Sequence, residues 1–280
     1  MPIRRWSSGS SGEPRSGLDE QPDHLGIPLF NRHIIYGLFG DVHLWLTGCM
    51  IFGDVVYCVK EPQFNGVLVH VIAFASRKGG AGKTTLTSHL AVQAAAAGCQ
   101  PVAIIDTDPQ GGLAGWRNAR NAGEPAWLDA PKGLKAAIAA ARREGFGALM
   151  IDTPPSLSET IAEVLALADL VVIPVRPSPN DLRAVGGTVE LVARAGKPMV
   201  FVINQATARA RITAETAIAL SQHGTVAPVM IHHRVDYATS MTDGRSAGEL
   251  DPVAKSASEI AALWTYLETR LTAGANKHAA

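Results

Sequence analysis

The run Ser76-Arg77-Lys78-Gly79-Gly80-Ala81-Gly82-Lys83-Thr84-Thr85 holds the residues whose types and spacing most plainly do chemistry. Glycines at these intervals let backbone N–H groups close around a phosphate at the start of a helix. Lys83 would reach the β- and γ-phosphates, and the Thr84 hydroxyl would ligate Mg²⁺. The ordinary form of such a loop places glycine five residues before Gly82; here that position is Arg77, and Lys78 follows it. A glycine-rich turn with incidental lysines is the plain alternative. The strand pattern before the loop and the helix pattern after it argue against that reading.

Carboxylates recur just beyond apolar runs. Residues 101–105 lead into Asp106-Thr107-Asp108-Pro109-Gln110-Gly111-Gly112, and residues 148–151 lead into Asp152-Thr153-Pro154-Pro155. Alone, the first of these is as well explained by a turn. Beside a phosphate loop, the pair Asp106 and Asp108 reads as metal and water control, because phosphoryl transfer needs positioning and charge neutralisation. Asp152 reads as a second metal-site element; its rival role is to terminate a strand. The double proline after it makes a rigid exit. Residues 199–203 lead into Asn204-Gln205. An amide there can read a nucleobase edge, since it both donates and accepts, or it can cap its own turn.

The elements that must position these groups alternate. Apolar runs at 69–75, 101–105, 148–151, 170–175, 199–203 and 226–230 read as strands. Helical patterns cover 84–97, 113–121, 133–144, 158–167, 181–195, 212–222 and 253–271. Continuous apolar strands separated by helices predict an α/β fold, a mainly parallel sheet with helices on both faces. Ligands on such sheets sit beyond the carboxyl ends of the strands, where all the acidic motifs fall.

Bulk properties bound the rest. The 280 residues suffice for one large α/β domain and an appendage, and 25 basic residues balance 25 acidic ones. No whole-chain field favours nucleic acid or membrane, so any DNA contact must be a local patch. Cys49, Cys58 and Cys99 lack paired metal spacing, which fits a reducing cytoplasm. Half of the aromatic residues precede Val69. Residues 1–24 read as disordered. Residues 34–59 are apolar, but Asp41, His43 and Asp54 interrupt any lipid-spanning helix. No helix-turn-helix pattern stands out, and the echo of Phe39-Gly40-Asp41-Val42 in Phe52-Gly53-Asp54-Val55 does not establish a repeat. The expected organisation is a poorly ordered extension over 1–67, or upstream sequence read from a misassigned start. A nucleotide-binding domain follows over 68–272, then a flexible tail over 273–280.

Taken together, Lys78-Gly79-Gly80-Ala81-Gly82-Lys83-Thr84-Thr85, Asp106-Thr107-Asp108-Pro109-Gln110-Gly111 and Asp152-Thr153-Pro154-Pro155 resemble the ParA family. These are deviant phosphate-loop ATPases of DNA and cargo partitioning, cousins of the division-site regulator MinD. The resemblance runs in order over 69–271. It implies a homodimer closed around two ATP molecules and Mg²⁺, with Lys78 reaching the partner subunit's phosphates as a compact point charge. It implies nucleotide contacts from Lys78, Gly79, Gly80, Ala81, Gly82, Lys83, Thr84, Thr85 and, at adenine, Asn204, with residues 228–244 completing the base pocket. Thr84, Asp106 and Asp152 would serve the metal, and Asp108 would orient the attacking water, making Asp108, Lys78 and Lys83 the catalytic set. It further implies non-specific DNA binding, for which Arg183, Arg209, Arg211, Arg234, Arg245 and Lys255 are the candidates, through phosphate neutralisation and counterion release.

The function so implied is a slow ATPase switch of plasmid or chromosome segregation. A ParB-like or other adaptor would stimulate it, and it would be cytoplasmic and nucleoid-associated without stable membrane insertion. The alternative is a MinD-like or cargo-positioning ATPase on a membrane surface or protein cluster. The segment 263–271 looks apolar enough to pack on the sheet, and the tail offers only Lys277 and His278 as cations, a poor membrane anchor. A reductase of the nitrogenase iron-protein type would need cysteines placed to hold a cluster, which this chain lacks.

Overall fold

The computed structural model describes residues 49–52, 55–58, 69–155 and 159–278. The chain divides into two units, Met1–Glu61 and Pro62–Ala280. In the first, β1 (Cys49–Phe52) and β2 (Val55–Cys58) pair antiparallel, within the segment expected to be an extension. The disorder expected over 1–24, the possible helix-turn-helix and most of the apolar stretch 34–59 lie outside the described residues.

The second unit opens with β3 (His70–Phe74), α1 (Lys83–Ala96), β4 (Val102–Asp106), α2 (Gly112–Ala119), β5 (Ala126–Trp127) and α3 (Leu134–Arg143). It continues with β6 (Ala148–Asp152), α4 (Glu159–Leu167), β7 (Leu170–Val175), α5 (Pro179–Arg194), β8 (Met199–Ile203) and α6 (Arg211–Ser221). It ends with β9 (Thr225–Val226), α7 (Val235–Ser240), α8 (Ala247–Leu250) and α9 (Lys255–His278). The strands form one sheet in the order β5-β4-β6-β3-β7-β8-β9, all parallel. The α/β class and the parallel sheet expected from the sequence are present.

Both faces of this sheet are covered, which is why its strands read as unbroken apolar runs. Val71, Ala73, Leu149 and Ile151 point into a core with Leu134, Ile138, Ile161, Val164 and Val192 from α3, α4 and α5. Ile72, Phe74, Ile104 and Met150 point the other way, toward Leu86 and Leu90 of α1, Trp116 of α2 and α9. Leu263, Trp264, Leu267 and Leu271 are buried in that second core, so the segment 263–271 does pack on the sheet. The helix that carries them runs on to His278, through most of the expected tail.

The elements missed are short. β5 has two residues at the sheet edge, and α7 and α8 have six and four, too few for a periodic signal. The last strand stops at Val226 rather than Met230, because Pro228 has no N–H to give the ladder. Backbone contact with β8 resumes beyond it, where Ile231 N–H donates to Ile203 O at 2.9 Å.

A buried histidine ties α1 to α7. His89 is almost fully enclosed, its Nδ1 2.7 Å from Thr85 O and its Nε2 3.0 Å from Ser240 Oγ. A carbonyl only accepts, so Nδ1 carries the proton and Nε2 accepts from Ser240. The ring meets Tyr237 edge-on at 5.3 Å. Burial pushes the His89 pKa down from 6.5 to about 4, against the pull of Thr85 O and Glu249. The unfolded chain therefore binds a proton at this residue between pH 6.5 and about 4 where the fold does not, and stability at His89 is lost as pH falls through that window. The wild type should lose about 2 kcal/mol more than His89→Gln between pH 7 and 5. Urea unfolding of both proteins at the two pH values checks this, and parallel losses would exclude it.

Candidate nucleotide site

β3 delivers the chain to the carboxyl edge of the sheet, and the loop turns there into α1. Gly80 and Gly82 take positive φ angles of 72° and 100°, which L side chains rarely adopt. At Gly82 space is as restrictive as conformation, since a Cβ would collide with the Asn204 amide. Among the described residues, the amides of residues 79–85 have no acceptor, whereas Leu86 N–H already donates to Gly82 O at 2.9 Å. Seven consecutive free donors at the N-terminus of a fourteen-residue helix form a nest for an anion. That donor set fits a polyphosphate.

The loop is held from the end of β8. Asn204 Nδ2 donates to Ala81 O at 2.7 Å, and Gln205 Nε2 donates to Gly80 O at 3.1 Å. Asn204 is buried, so the amide that the sequence offers to a nucleobase spends a donor on the loop itself. Gln205 adopts a left-handed φ of 53° to reach back. Sequence reading missed its role, although the adjacent amides Asn204-Gln205 were the available signal.

The acidic residues arrive through strand register. Asp152 at the end of β6 stands level with Phe74 of β3 and Asp106 of β4. Its Oδ2 accepts the Thr84 hydroxyl at 2.5 Å, and its Oδ1 accepts Thr153 N–H at 3.1 Å. Burial pushes the Asp152 carboxyl up to about 7; the Thr84 hydrogen bond and Lys83 oppose that, while Asp106 and Asp108 add to it. Lys83, also buried, is drawn below its ordinary value by desolvation, against Asp152 and Asp108. Burial disfavours the charge on both partners, so the site favours ligands that bring charge of both signs: phosphate for Lys83 and a cation for Asp152.

Asp106 does something different. Its Oδ1 accepts Asp108 N–H at 2.9 Å, and its Oδ2 accepts the amides of Leu113 and Ala114, both at 3.0 Å. It thereby braces the turn and caps α2. Asp108 Oδ1 accepts Gln110 N–H at 3.0 Å within the same turn. Thr107 ties this turn to β6, its hydroxyl donating to Asp152 O at 2.7 Å. Gly112 lies beside Thr84, which closes the turn over the start of α1. Among the described residues, no group of three His, Cys, Asp or Glu side chains could hold a metal alone. Thr84 and Asp152 could instead hold Mg²⁺ together with phosphate oxygens and water, the arrangement this ion favours.

Lys78 stands apart from these groups. It lines an open cleft of about 320 Å³ with Arg176, Ser178, Asn180, Asp181 and Gln205. Arg176 and Asp181 form a two-point ion pair at 2.9 and 3.2 Å, and Ser178 caps α5 by accepting Asp181 N–H. The Ser-Pro-x-Asp spacing signalled that helix start, whereas nothing signalled Arg176.

The basic candidates separate into two kinds. Arg234 is paired with Glu259, which also accepts from His232 and Tyr237; Arg211 is paired with Glu215 and Arg245 with Asp243. Arg183, Arg209 and Lys255 form no ion pair among the described residues, and all three are exposed. No described helix is long and apolar enough to cross a membrane.

Comparison with known proteins agrees with this geometry. The family described as the CobQ/CobB/MinD/ParA nucleotide binding domain matches residues 72–247, more than half of the chain. Maintenance of carboxysome distribution protein A of Halothiobacillus neapolitanus is 28% identical over 203 residues, covering 67% of this chain and 91% of that protein. The chromosome-partitioning ATPase Soj of Thermus thermophilus is 34% identical over 152 residues, covering 42% of this chain and 59% of that protein. The fold is shared with MinD in the MinC:MinD cell division complex of Aquifex aeolicus, with a TM-score of 0.59 at 18% identity over 72% of this chain and 96% of that one.

Removing the Asn204 amide separates its two possible jobs. Asn204→Ala should weaken Mg·ADP and Mg·GDP binding alike, each by about tenfold, because a braced loop carbonyl is lost. Titration calorimetry with both nucleotides is the check, and a loss confined to ADP would assign Asn204 to the base.

Proposed function

The chain belongs to the CobQ/CobB/MinD/ParA family of nucleotide-binding domains, whose ParA and MinD members are ATPases, and from this we propose that it is an ATP-driven positioning switch. ATP with Mg²⁺ closes a homodimer, the dimer binds DNA without sequence preference, and hydrolysis stimulated by an adaptor releases it. The observation that carries this reading is the separation of the two lysines. Lys83 lies buried beside Thr84 and Asp152, equipped for its own subunit's nucleotide. Lys78 lines an open cleft that Lys83, Thr84 and Asp152 do not line, equipped to reach out of the subunit.

In this mechanism the amides of residues 79–85 and Lys83 bind the phosphates. Mg²⁺ bound beside Thr84 would neutralise charge that develops on the transferring group. Asp152 holds the Thr84 hydroxyl in place, and Asp106 keeps the 106–112 turn in shape. Asp108, at the head of that turn, orients the water. The nucleotide thereby acts as a conformational ligand, and hydrolysis sets the lifetime of the closed state.

Plasmid or chromosome segregation is the cargo favoured by the partition motifs. A protein cluster is the second reading, favoured by similarity over 91% of the length of a protein named for carboxysome distribution. A membrane surface has less support, since the apolar face of α9 is spent on the core.

Lys78→Ala should keep Mg·ADP binding while losing ATP-dependent dimerisation, and Asp108→Ala should accumulate a DNA-bound dimer. Light scattering with and without Mg·ATP tests the first, and dimerisation unaffected by Lys78→Ala would sink the assignment. DNA contact should rest on the unpaired cations. Arg183→Ala, Arg209→Ala and Lys255→Ala should each lower the slope of log affinity against log salt by about 0.9, whereas Arg245→Ala should leave it nearly unchanged. Fluorescence anisotropy across a salt series reads those slopes.

A further inference from the structure

Helix α5 contains an adjacent glycine pair, Gly186 and Gly187, in its interior, where glycine is a poor helix former. Nothing crowds Gly186, but a Cβ at Gly187 would meet a neighbour that has to shift. The Arg77 side chain lies across Gly187, so a Cβ there would run into the Arg77 guanidinium and its Cδ. One residue on, Thr188 Oγ1 accepts Arg77 N–H at 3.2 Å. Arg77 is thus tied to α5 by its backbone N–H, and its exposed side chain lies along the helix at Gly187. It is also the residue standing where the ordinary phosphate loop has glycine.

The same helix reaches the loop a second time. Asp181, buried in its first turn, locks Arg176 by two hydrogen bonds, and the Arg176 guanidinium stands against Gly80. Lys78 lies between these two points. Its own N–H donates to Ser76 Oγ at 3.3 Å, and the next residue, Gly79, has open space around it. A lysine side chain is flexible, so where its ammonium can go depends on where its backbone points. Downstream of Lys78 the glycines would leave that direction loose; upstream, Arg77 does not.

We propose that Arg77 is a positioning residue for Lys78, and that α5, through Gly187, Thr188 and Asp181, sets the direction in which Lys78 leaves the phosphate loop. The consequence for self-association rests on the proposed dimer; the consequence for Lys78 itself does not. The glycine at position 187 leaves the space in which the Arg77 side chain lies.

Gly187→Ala is the discriminating variant, because alanine is the better helix former and only the flexible end of Arg77 has to move. The full chain should fold with a melting temperature no lower than wild type and bind Mg·ADP within about twofold of it, while dimerisation with Mg·AMPPNP weakens by about tenfold. Arg77→Ala should match it, and the double variant should be no worse than either single one, because the same contact is lost. Reductive ¹³C-methylation of the lysines gives a second readout, with the Lys78 resonance assigned by its loss in Lys78→Arg. That resonance should move in Gly187→Ala. An unmoved Lys78 resonance overturns the proposal whether or not a dimer forms, as does a fall in Mg·ADP affinity equal to the loss of dimerisation. A wild-type protein that fails to associate with Mg·AMPPNP overturns the dimer reading alone.

Discussion

The hydrogen bond from the Thr84 hydroxyl to the Asp152 carboxylate is the contact on which the site depends. It joins the first turn of α1 to the end of β6, and so fixes the helix that ends the loop against the strand beside it. Asp152 can occupy that point only because parallel pairing sets Phe74, Asp106 and Asp152 level at the sheet edge. The carboxylate is fully buried, and its environment resists ionisation. Such a group is costly to keep unless a ligand repays it, which is the ordinary signature of a functional site.

Around that contact the loop is gripped from three directions. The end of β8 supplies amides to the carbonyls of Gly80 and Ala81, α5 holds the backbone of Arg77, and the 106–112 turn closes over Thr84. None of these grips comes from the loop's own glycines, which supply conformational freedom rather than restraint. The loop is therefore a flexible segment made rigid by its neighbours, and each neighbour carries a different part of the proposed cycle. In that proposal the 106–112 turn would orient the water, while α5 carries the exposed Arg183.

Much of this was legible before any coordinates. The long apolar runs foretold the sheet because both its faces are buried, and the phosphate loop, Asp106, Asp108 and Asp152 stood out as candidates because residue type and local spacing mark them. What escaped depends on contacts distant in sequence. Asn204 bonds to Ala81 across 123 residues, and Arg77 reaches Thr188 across 111. Asp106 reads as a metal-side carboxylate, yet one of its oxygens accepts from the backbone of α2 and the other from Asp108 N–H, which only the turn geometry reveals. Among the basic residues, charge alone could not separate Arg234, committed to Glu259, from Arg209, which is unpaired among the described residues.

The two edges of the main sheet bear on edge-to-edge pairing. β5 and β9 have two residues each, so either border offers few unpaired amides to a foreign strand. For the proposed switch, which meets a copy of itself at one surface, such edges leave little else to pair with. Cropped borders supply that reticence through backbone geometry alone. In the proposed cycle they would leave the timing of assembly to the nucleotide.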